Sequence, residues 1–241
     1  MWNDLNSQYE DAYGHNPLKR DCVEAAIRLL KPRSRVLDVG CGTGAPVAQM
    51  LAQGGMEVFG CDVAPEMVQA ARSKVKGTFE VADMVNYQPE GSFDAIFIIY
   101  SHLGLKYGDF HRAVYRLAKT LRPNGLLVIG QAPADKVVPA ESPEWDSTCS
   151  YVEDFNLPFW GQPFPTLMLT RAAQKAFLET MGLEVVYDEV GEFQPNNPKC
   201  DLEYQQYIIG RRRAGTGISE PYPQAADNER AEVCTAIRRV E

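Results

Sequence analysis

Arg35-Val36-Leu37-Asp38-Val39-Gly40-Cys41-Gly42-Thr43-Gly44 is the stretch that decides the fold of this chain. Val36, Leu37 and Val39 form a short apolar run interrupted by one acid, the pattern of a strand buried on both faces. Three glycines follow at alternate positions. Ala45-Pro46-Val47-Ala48-Gln49-Met50-Leu51 then reads as a helix that tolerates Pro46 in its first turn. Strand, glycine turn and helix make a nucleotide cradle, because a backbone without Cβ atoms turns tightly and approaches a ligand closely. A second strand supports this reading. Glu57-Val58-Phe59-Gly60-Cys61-Asp62 ends in an acid 22 residues after Gly40, about where a βαβ unit sets the carboxylate that grips ribose hydroxyls.

The chemistry of the turn narrows the ligand. Dinucleotide sites favour G-x-G-x-x-G with a pyrophosphate on the helix N-terminus. Here the spacing is Gly40-x-Gly42-x-Gly44, preceded by Asp38. A carboxylate repels an anion and attracts a cation, so the expected ligand carries positive charge. At these residues the chain resembles the class I S-adenosylmethionine-dependent methyltransferases, whose first motif is close to Val36-Leu37-Asp38-Val39-Gly40-Cys41-Gly42-Thr43-Gly44. Their second motif is an acid ending the second strand, here Asp62 followed by Val63-Ala64-Pro65-Glu66-Met67. Further matches are Val81-Ala82-Asp83-Met84, Phe93-Asp94-Ala95-Ile96 and Leu121-Arg122-Pro123-Asn124-Gly125-Leu126. The resemblance is detailed over residues 20–131 and loose to 211. It implies S-adenosyl-L-methionine as cofactor and S-adenosyl-L-homocysteine as its product. By the same resemblance, Asp38 and the backbone at Gly40 and Gly42 face the methionine part. Asp62 takes the ribose hydroxyls, Val63 packs on the adenine, Asp83 accepts the adenine amino group and the Met84 backbone N–H donates. Cys41, Gly44, Met67, Tyr100 and Ser101 complete the expected cofactor site.

Outward from this motif, strands and helices alternate. Strands are expected at 35–39, 57–61, 78–82, 95–99 and 126–130, with helices at 45–53, 65–75, 109–121 and 170–181. A further helix starts with Asn16 as cap and Pro17 at its first position, and Val23, Ala26, Ile27 and Leu30 give it a buried face. Strands at 183–187 and 204–210 close the pattern. Such alternation implies parallel strands with helices on both faces. With the resemblance, the expected fold is α/β: a doubly wound, mostly parallel seven-stranded sheet with an antiparallel edge strand, the Rossmann-like methyltransferase fold. Residues 1–34 form an N-terminal lid and helix, 35–211 the methyltransferase domain with a substrate-cap insertion at 132–168, and 212–241 a tail.

Composition bounds the partners. The 241 residues are 45% hydrophobic and 23% charged, ordinary globular usage. A net charge of −8 argues against a nucleic-acid substrate held by a broad basic face. No apolar run approaches the roughly 20 residues of a spanning helix, and residues 1–30 lack a signal-peptide core, so no membrane partner is expected. Six cysteines are scattered at 22, 41, 61, 149, 200 and 234 without a CxxC pair, which reads as reduced thiols in a cytoplasmic protein. No metal-ligand spacing is recognised. The expected partner is a small-molecule acceptor, with monomer and homodimer both open.

The acceptor side is expected from three places. Residues 1–16 interleave polar residues with Trp2, Tyr9, Tyr13 and His15; the resemblance implies a lid over the cofactor and substrate, whose Tyr9, Tyr13 and His15 would reach the acceptor, and the alternative is an ordinary surface helix. Residues 132–168 hold six prolines with Trp145, Phe155, Phe159, Trp160 and Phe164. A long Pro-rich segment after the fifth strand lies at the ligand-binding edge of such a sheet. It reads as a substrate cap, with Gln131, Phe159 and Trp160 at the acceptor; closure of the core is the alternative. Tyr100-Ser101-His102 follows the fourth strand, and His102 has the ordinary pKa of a general base near neutrality, with Tyr100 beside it. Tyr100-Ser101-His102-Leu103 departs from the Asp/Asn-Pro-Pro-Tyr of members that methylate exocyclic base nitrogens. Tyr115 and Lys119 fit the Tyr-x-x-x-Lys pair of short-chain dehydrogenases but lie too early for that family. The expected function is methyl transfer to an oxygen or nitrogen of a small organic molecule. The alternatives are a binder of the same cofactor with a regulatory or cyclase role and, more remotely, an NAD(P)-dependent dehydrogenase. A linker-like stretch at 214–228 and a terminal helix at 229–240 end the reading.

Overall fold

The structure, a computed structural model, describes residues 6–222, with side chains from residue 10 onward. The expected helix at 229–240, Trp2 and the side chain of Tyr9 lie outside the described residues. In chain order the elements are α1 (Asn6–Tyr13), α2 (Pro17–Leu29), β1 (Arg35–Val39), α3 (Val47–Gln53), β2 (Glu57–Asp62), α4 (Pro65–Lys74), β3 (Thr78–Val81), β4 (Phe93–Ile99), α5 (Tyr107–Ala118) and β5 (Leu121–Gln131). They continue with α6 (Ala134–Val137), β6 (Tyr151–Phe159), β7 (Gln162–Leu169), α7 (Arg171–Thr180), β8 (Leu183–Phe193) and β9 (Glu203–Arg212).

Seven strands form one sheet in the order β3-β2-β1-β4-β5-β9-β8. β1 to β5 pair in parallel, and β9 pairs antiparallel with both β5 and β8. The antiparallel strand therefore lies one in from the edge, and β8 is the edge itself. Strand alternation sorts the side chains into two layers. Leu37, Val39, Ile96, Ile98, Leu127, Ile129 and Ile208 pack with α5 and α7 on one face. Val36, Val58, Ala95, Phe97, Val128 and Ile209 pack with α2, α3 and α4 on the other. The order reverses between β1 and β4, so the crevice beyond their C-terminal ends is the place where such sheets bind ligands.

Helix ends follow the expected chemistry at two places. The Asn16 side chain accepts from the Lys19 N–H at 3.2 Å with Pro17 opening α2. The Thr170 hydroxyl accepts from Ala173 N–H at 3.1 Å and starts α7. Each cap stabilises its helix by about 1 kcal/mol. α3 begins at Val47 rather than at 45, because the glycine turn runs on to Pro46.

Two segments differ from their sequence reading. Residues 132–168 contain a β-hairpin, β6 and β7, forming a separate two-stranded sheet. Their prolines hid it. Pro158 pairs with Pro163 near the tip, where a two-stranded ribbon has free edges and a missing N–H is tolerated. The tail is no linker over its described part. Ile218 packs on the core. Ser219 N–H donates to Met181 O at 3.2 Å, Tyr222 N–H to the Thr180 hydroxyl at 2.8 Å, and the buried His111 Nε2 lies 2.9 Å from Pro221 O. Residues 212–222 thus strap α7 and α5 together. Cys22, Cys41, Cys61 and Cys200 are free thiols, whereas Cys149 is disulfide-bonded, against the expectation of reduced cysteines throughout.

Candidate functional site

A cavity of about 370 Å³ opens at the C-terminal ends of β1, β2, β3 and β4. Each of these strands delivers one loop to it, so residues far apart in sequence meet at one sheet edge. From the loop after β1 come Gly40, Cys41, Gly42 and Thr43. Gly40 has φ +71°, and a Cβ there would fall 2.1 Å from Ser101 Cβ, so only glycine lets the loops after β1 and β4 cross. Gly42 has φ +53°, and a Cβ there would project into open space, which leaves its backbone bare toward the cavity.

Asp62 ends β2 and ties two loops together. Its Oδ2 accepts from Gly42 N–H and its Oδ1 from Ala64 N–H, both at 2.9 Å. The N-cap of α4 is Ala64, so Asp62 is not the helix cap. Each carboxylate oxygen can accept a second hydrogen bond, which leaves Asp62 capacity for a diol in the cavity. Val63 beside it is 61% exposed, an apolar side chain on the cavity wall. Asp83 and Met84 follow β3 and line the same end. Asp83 Oδ1 holds Val85 N–H at 2.9 Å.

Part of the same lining is charged and buried. Asp38, in β1, is 3% exposed, and its Oδ2 has no hydrogen-bond partner. Burial first, and the nearby Asp62 second, push its carboxyl up to about 7, with Lys19 pulling the other way. Lys19 of α2 is 4% exposed and lines the cavity; burial brings its ammonium down to about 8 against the pull of Glu203 and Asp38. The hydroxyl of Ser101 is also buried and unpartnered. A buried acid oxygen and a hydroxyl without protein partners, beside a buried cation, fit a ligand that carries both an ammonium and a carboxylate. The Cys41 and Cys61 thiols complete the wall. Burial pushes both up, Cys61 to about 12, so they remain neutral.

The expected cofactor residues Asp38, Gly40, Cys41, Gly42, Asp62, Val63, Met67, Asp83, Met84, Tyr100 and Ser101 all line this cavity. Gly44 does not; it packs on Val75 and Ala71. Sequence reasoning missed Lys19, although the signal was present. Lys19 falls on the same helical stripe as the buried Cys22, Val23 and Ala26, and a lysine on an apolar face needs a partner inside.

The expected acceptor residues are placed elsewhere. His102 is fully buried with its ring centroid 4.6 Å from that of Phe110, and neither ring nitrogen has a partner. Burial lowers its pKa to about 4. The physical reason is local. Tyr100 takes φ +56° at the end of β4, and the chain beyond it carries His102 under α5 while Leu103, Gly104 and Leu105 reach the cavity. Tyr100 lines the cavity and donates its hydroxyl to Gln131 O at 2.9 Å. Gln131 is buried away from the cavity, with its amide N–H on Leu169 O and Gln206 Oε1 and its amide oxygen accepting from Leu169 N–H. Tyr13, at the end of α1, donates to Glu203 at 2.5 Å. Phe159 and Trp160 sit at the hairpin tip, packed with Ala12, Tyr13, Cys200 and Phe193. His15 is exposed in the turn before α2. The aromatic that the hairpin does bring to the cavity is Phe164 of β7, next to Gly104. The Leu167 N–H donates to Leu103 O at 2.7 Å and fixes the hairpin to that loop. Among the described residues no group of three metal-ligating side chains occurs, and no helix is long and apolar enough to cross a membrane. Tyr115 lies on α5 and Lys119 is its C-cap, with the ammonium 3.9 Å from the ring centre, outside the cavity.

Residues 36–125 match the profile of a methyltransferase domain family. Over 103 residues the chain is 38% identical to a ubiquinone biosynthesis O-methyltransferase of Xanthomonas campestris, covering 39% of this chain and 41% of that protein. It is 34% identical over 123 residues to a demethylmenaquinone methyltransferase of Thermus thermophilus, covering 48% and 54%. The chain thus spans about half the length, or less, of these curated relatives. A 1,6-didemethyltoxoflavin-N1-methyltransferase of Burkholderia thailandensis, solved with that compound and S-adenosylhomocysteine, superposes with a TM-score of 0.62 at 17% identity, covering 87% of this chain and 84% of that one. That likeness is one of fold.

Proposed function

We propose that this chain, a member of the class I S-adenosylmethionine-dependent methyltransferase superfamily, transfers a methyl group from S-adenosylmethionine to a small, largely apolar organic molecule. One observation carries the reading: a single cavity is lined by the buried Asp38 and Lys19 together with Asp62, Val63, Asp83 and Met84. When bound, S-adenosylmethionine supplies a methyl carbon made electrophilic by its sulfonium, so the protein has little covalent chemistry to perform. Asp38 then meets the amino group and Lys19 the carboxylate of the methionine part. Asp62 takes the ribose hydroxyls, Val63 covers one face of the adenine, and Asp83 with the Met84 N–H reads its edge.

Ile99, Leu103, Leu105 and Phe164 form one apolar stretch of the cavity wall, where the acceptor would be held in line and out of water. Net charge −8 and this apolar wall support a small molecule rather than a polyanion. In this reading residues 35–211 are the catalytic domain, and 132–168 help to cap it through Phe164.

The test is transfer of an isotope-labelled methyl group from S-adenosylmethionine to a panel of small hydroxyl, amine and heteroaromatic compounds. Labelled product from at least one compound, abolished when the Asp62 carboxylate is removed, is the expected result. Binding of S-adenosylhomocysteine with no transfer to any of the panel would favour the regulatory alternative.

A further inference from the structure

α5 lies outside the cavity, yet its Arg116 holds the loop that forms the adenine end. The Arg116 guanidinium donates to three backbone carbonyls of that loop: Met84 O at 2.9 Å, Val85 O at 2.6 Å and Tyr87 O at 3.1 Å. Three carbonyls converging on one planar fork fix the path of residues 84–87 much more tightly than any single contact. The Val85 peptide is gripped on both sides. Its C=O takes Arg116, and its N–H is held by Asp83 Oδ1 at 2.9 Å. The orientation of the Asp83 carboxylate is therefore linked through one peptide to the guanidinium on α5.

We propose that Arg116 is a positioning residue for base recognition, setting the Asp83 carboxylate and the Met84 N–H at the spacing that reads the edge of adenine. This rests on the donor reading above, in which that end of the cavity receives the adenine. The edge of adenine presents an amino donor beside a ring-nitrogen acceptor; hypoxanthine presents an oxygen acceptor beside a ring N–H. Asp83 accepts and Met84 N–H donates, so the pair matches adenine and opposes hypoxanthine. Arg116 supplies the rigidity that makes this difference count. Arginine is suited to the task because lysine, a compact point charge with three donors, cannot span three carbonyls in one plane.

The experiment measures the calorimetric affinity of the full chain and its Arg116→Ala and Arg116→Lys variants for three probes: S-adenosylhomocysteine, S-inosylhomocysteine and S-ribosylhomocysteine, which lacks a base. Arg116→Ala is expected to weaken S-adenosylhomocysteine by about tenfold, the loss of one good hydrogen bond's worth of orientation. Its affinity for S-ribosylhomocysteine stays within about twofold, and its preference for adenine over hypoxanthine shrinks. Arg116→Lys, which keeps the charge and most of the stem, falls between and serves if the alanine variant does not fold. Equal losses for the adenine and base-free probes would show a general structural role and overturn the proposal, as would an unchanged adenine preference in both variants. A wild-type chain that binds neither S-adenosylhomocysteine nor the base-free probe would sink the donor reading itself. A wild type that binds both, with variants that bind them equally well, would sink only the role of Arg116.

Discussion

The two ends of the cavity were built in different ways. At the donor end, four successive parallel strands each contribute the few residues just past their C-terminal ends: Gly40–Thr43, Asp62–Val63, Asp83–Met84 and Tyr100–Ser101. On the proposed acceptor side, Leu103–Leu105 meet Phe164 from a hairpin some sixty residues later, which is tied there by Leu167 N–H on Leu103 O, by Glu153 accepting from Tyr107 N–H and by the Lys106–Asp154 ion pair. Each parallel strand ends at the same sheet edge, so the residues just past it stay in short motifs. The acceptor wall depends on where an insertion lands, which no short motif records.

The largest effect is expected at Asp62. Asp62→Ala removes the proposed acceptor of the ribose hydroxyls together with that of the Gly42 and Ala64 N–H groups. Charge-assisted hydrogen bonds contribute about 1.5–3 kcal/mol each, so affinity for S-adenosylhomocysteine falls about 100-fold by calorimetry. A loss below about threefold would mean that the carboxylate only ties loops.

Lys19 and Asp38 come next and give the donor end its pH dependence. Lys19 titrates at about 8 in the folded chain against an ordinary 10.5, so its charge is present below about 8 and lost above it. Asp38 titrates at about 7 against 3.8, so its charge is lost as pH falls below about 7. A zwitterionic methionine part needs both charges, and affinity is expected to be highest between about 7 and 8. Asp38→Asn should erase the acidic limb of the affinity profile and Lys19→Met the basic limb, each with about a tenfold loss at the optimum. The stability signs run the other way. The folded state binds fewer protons at Lys19 between about 8 and 10.5, so its contribution rises with pH there; at Asp38 it binds more between 3.8 and about 7, so that contribution falls with pH. Melting temperature across those two windows, wild type against each variant, checks this.

A smaller effect sharpens the acceptor half. Phe164→Ala should raise the acceptor KM by roughly tenfold, the loss of one aromatic contact and its buried area, with donor affinity within about twofold. Trp160→Ala, at the hairpin tip beside Tyr13 and Phe193, should lower the melting temperature and leave both nearly intact. If Trp160 moves KM more than Phe164 does, the wall has been assigned to the wrong end of the hairpin.

The smallest effect belongs to His102. Its imidazole is buried, lies against Phe110 and has both nitrogens unpartnered. His102→Leu removes two unsatisfied polar atoms, so the melting temperature holds or rises while kcat changes by less than about threefold. A loss of about 100-fold or more, with the acidic limb of kcat/KM gone, would restore it as a base.

The sheet and much of the cavity lining at β1 to β4 were legible because their signals are local: the strand before Gly40, the 22-residue step to Asp62, and the alternation that gives the sheet. Lys19 was legible in principle as a lysine on an apolar stripe. His102 was misplaced because its position after β4 says nothing of its direction, which the positive φ of Tyr100 sets. The hairpin of β6 and β7 was hidden by Pro158 and Pro163, which read as loop residues but pair across a free-edged ribbon. Gln131 and Tyr13 looked like acceptor contacts from their proximity to strand and lid, yet their partners are Leu169, Gln206 and Glu203, all distant in sequence.

The central claim, that the crevice at β1 to β4 holds an S-adenosyl compound rather than a dinucleotide, is tested most directly by parallel calorimetric titrations of the full chain. S-adenosylhomocysteine is expected to bind with micromolar affinity, on the order of −7 to −8 kcal/mol, and NADH to give no binding heat. Tight NADH binding, or no binding of S-adenosylhomocysteine, would contradict the account.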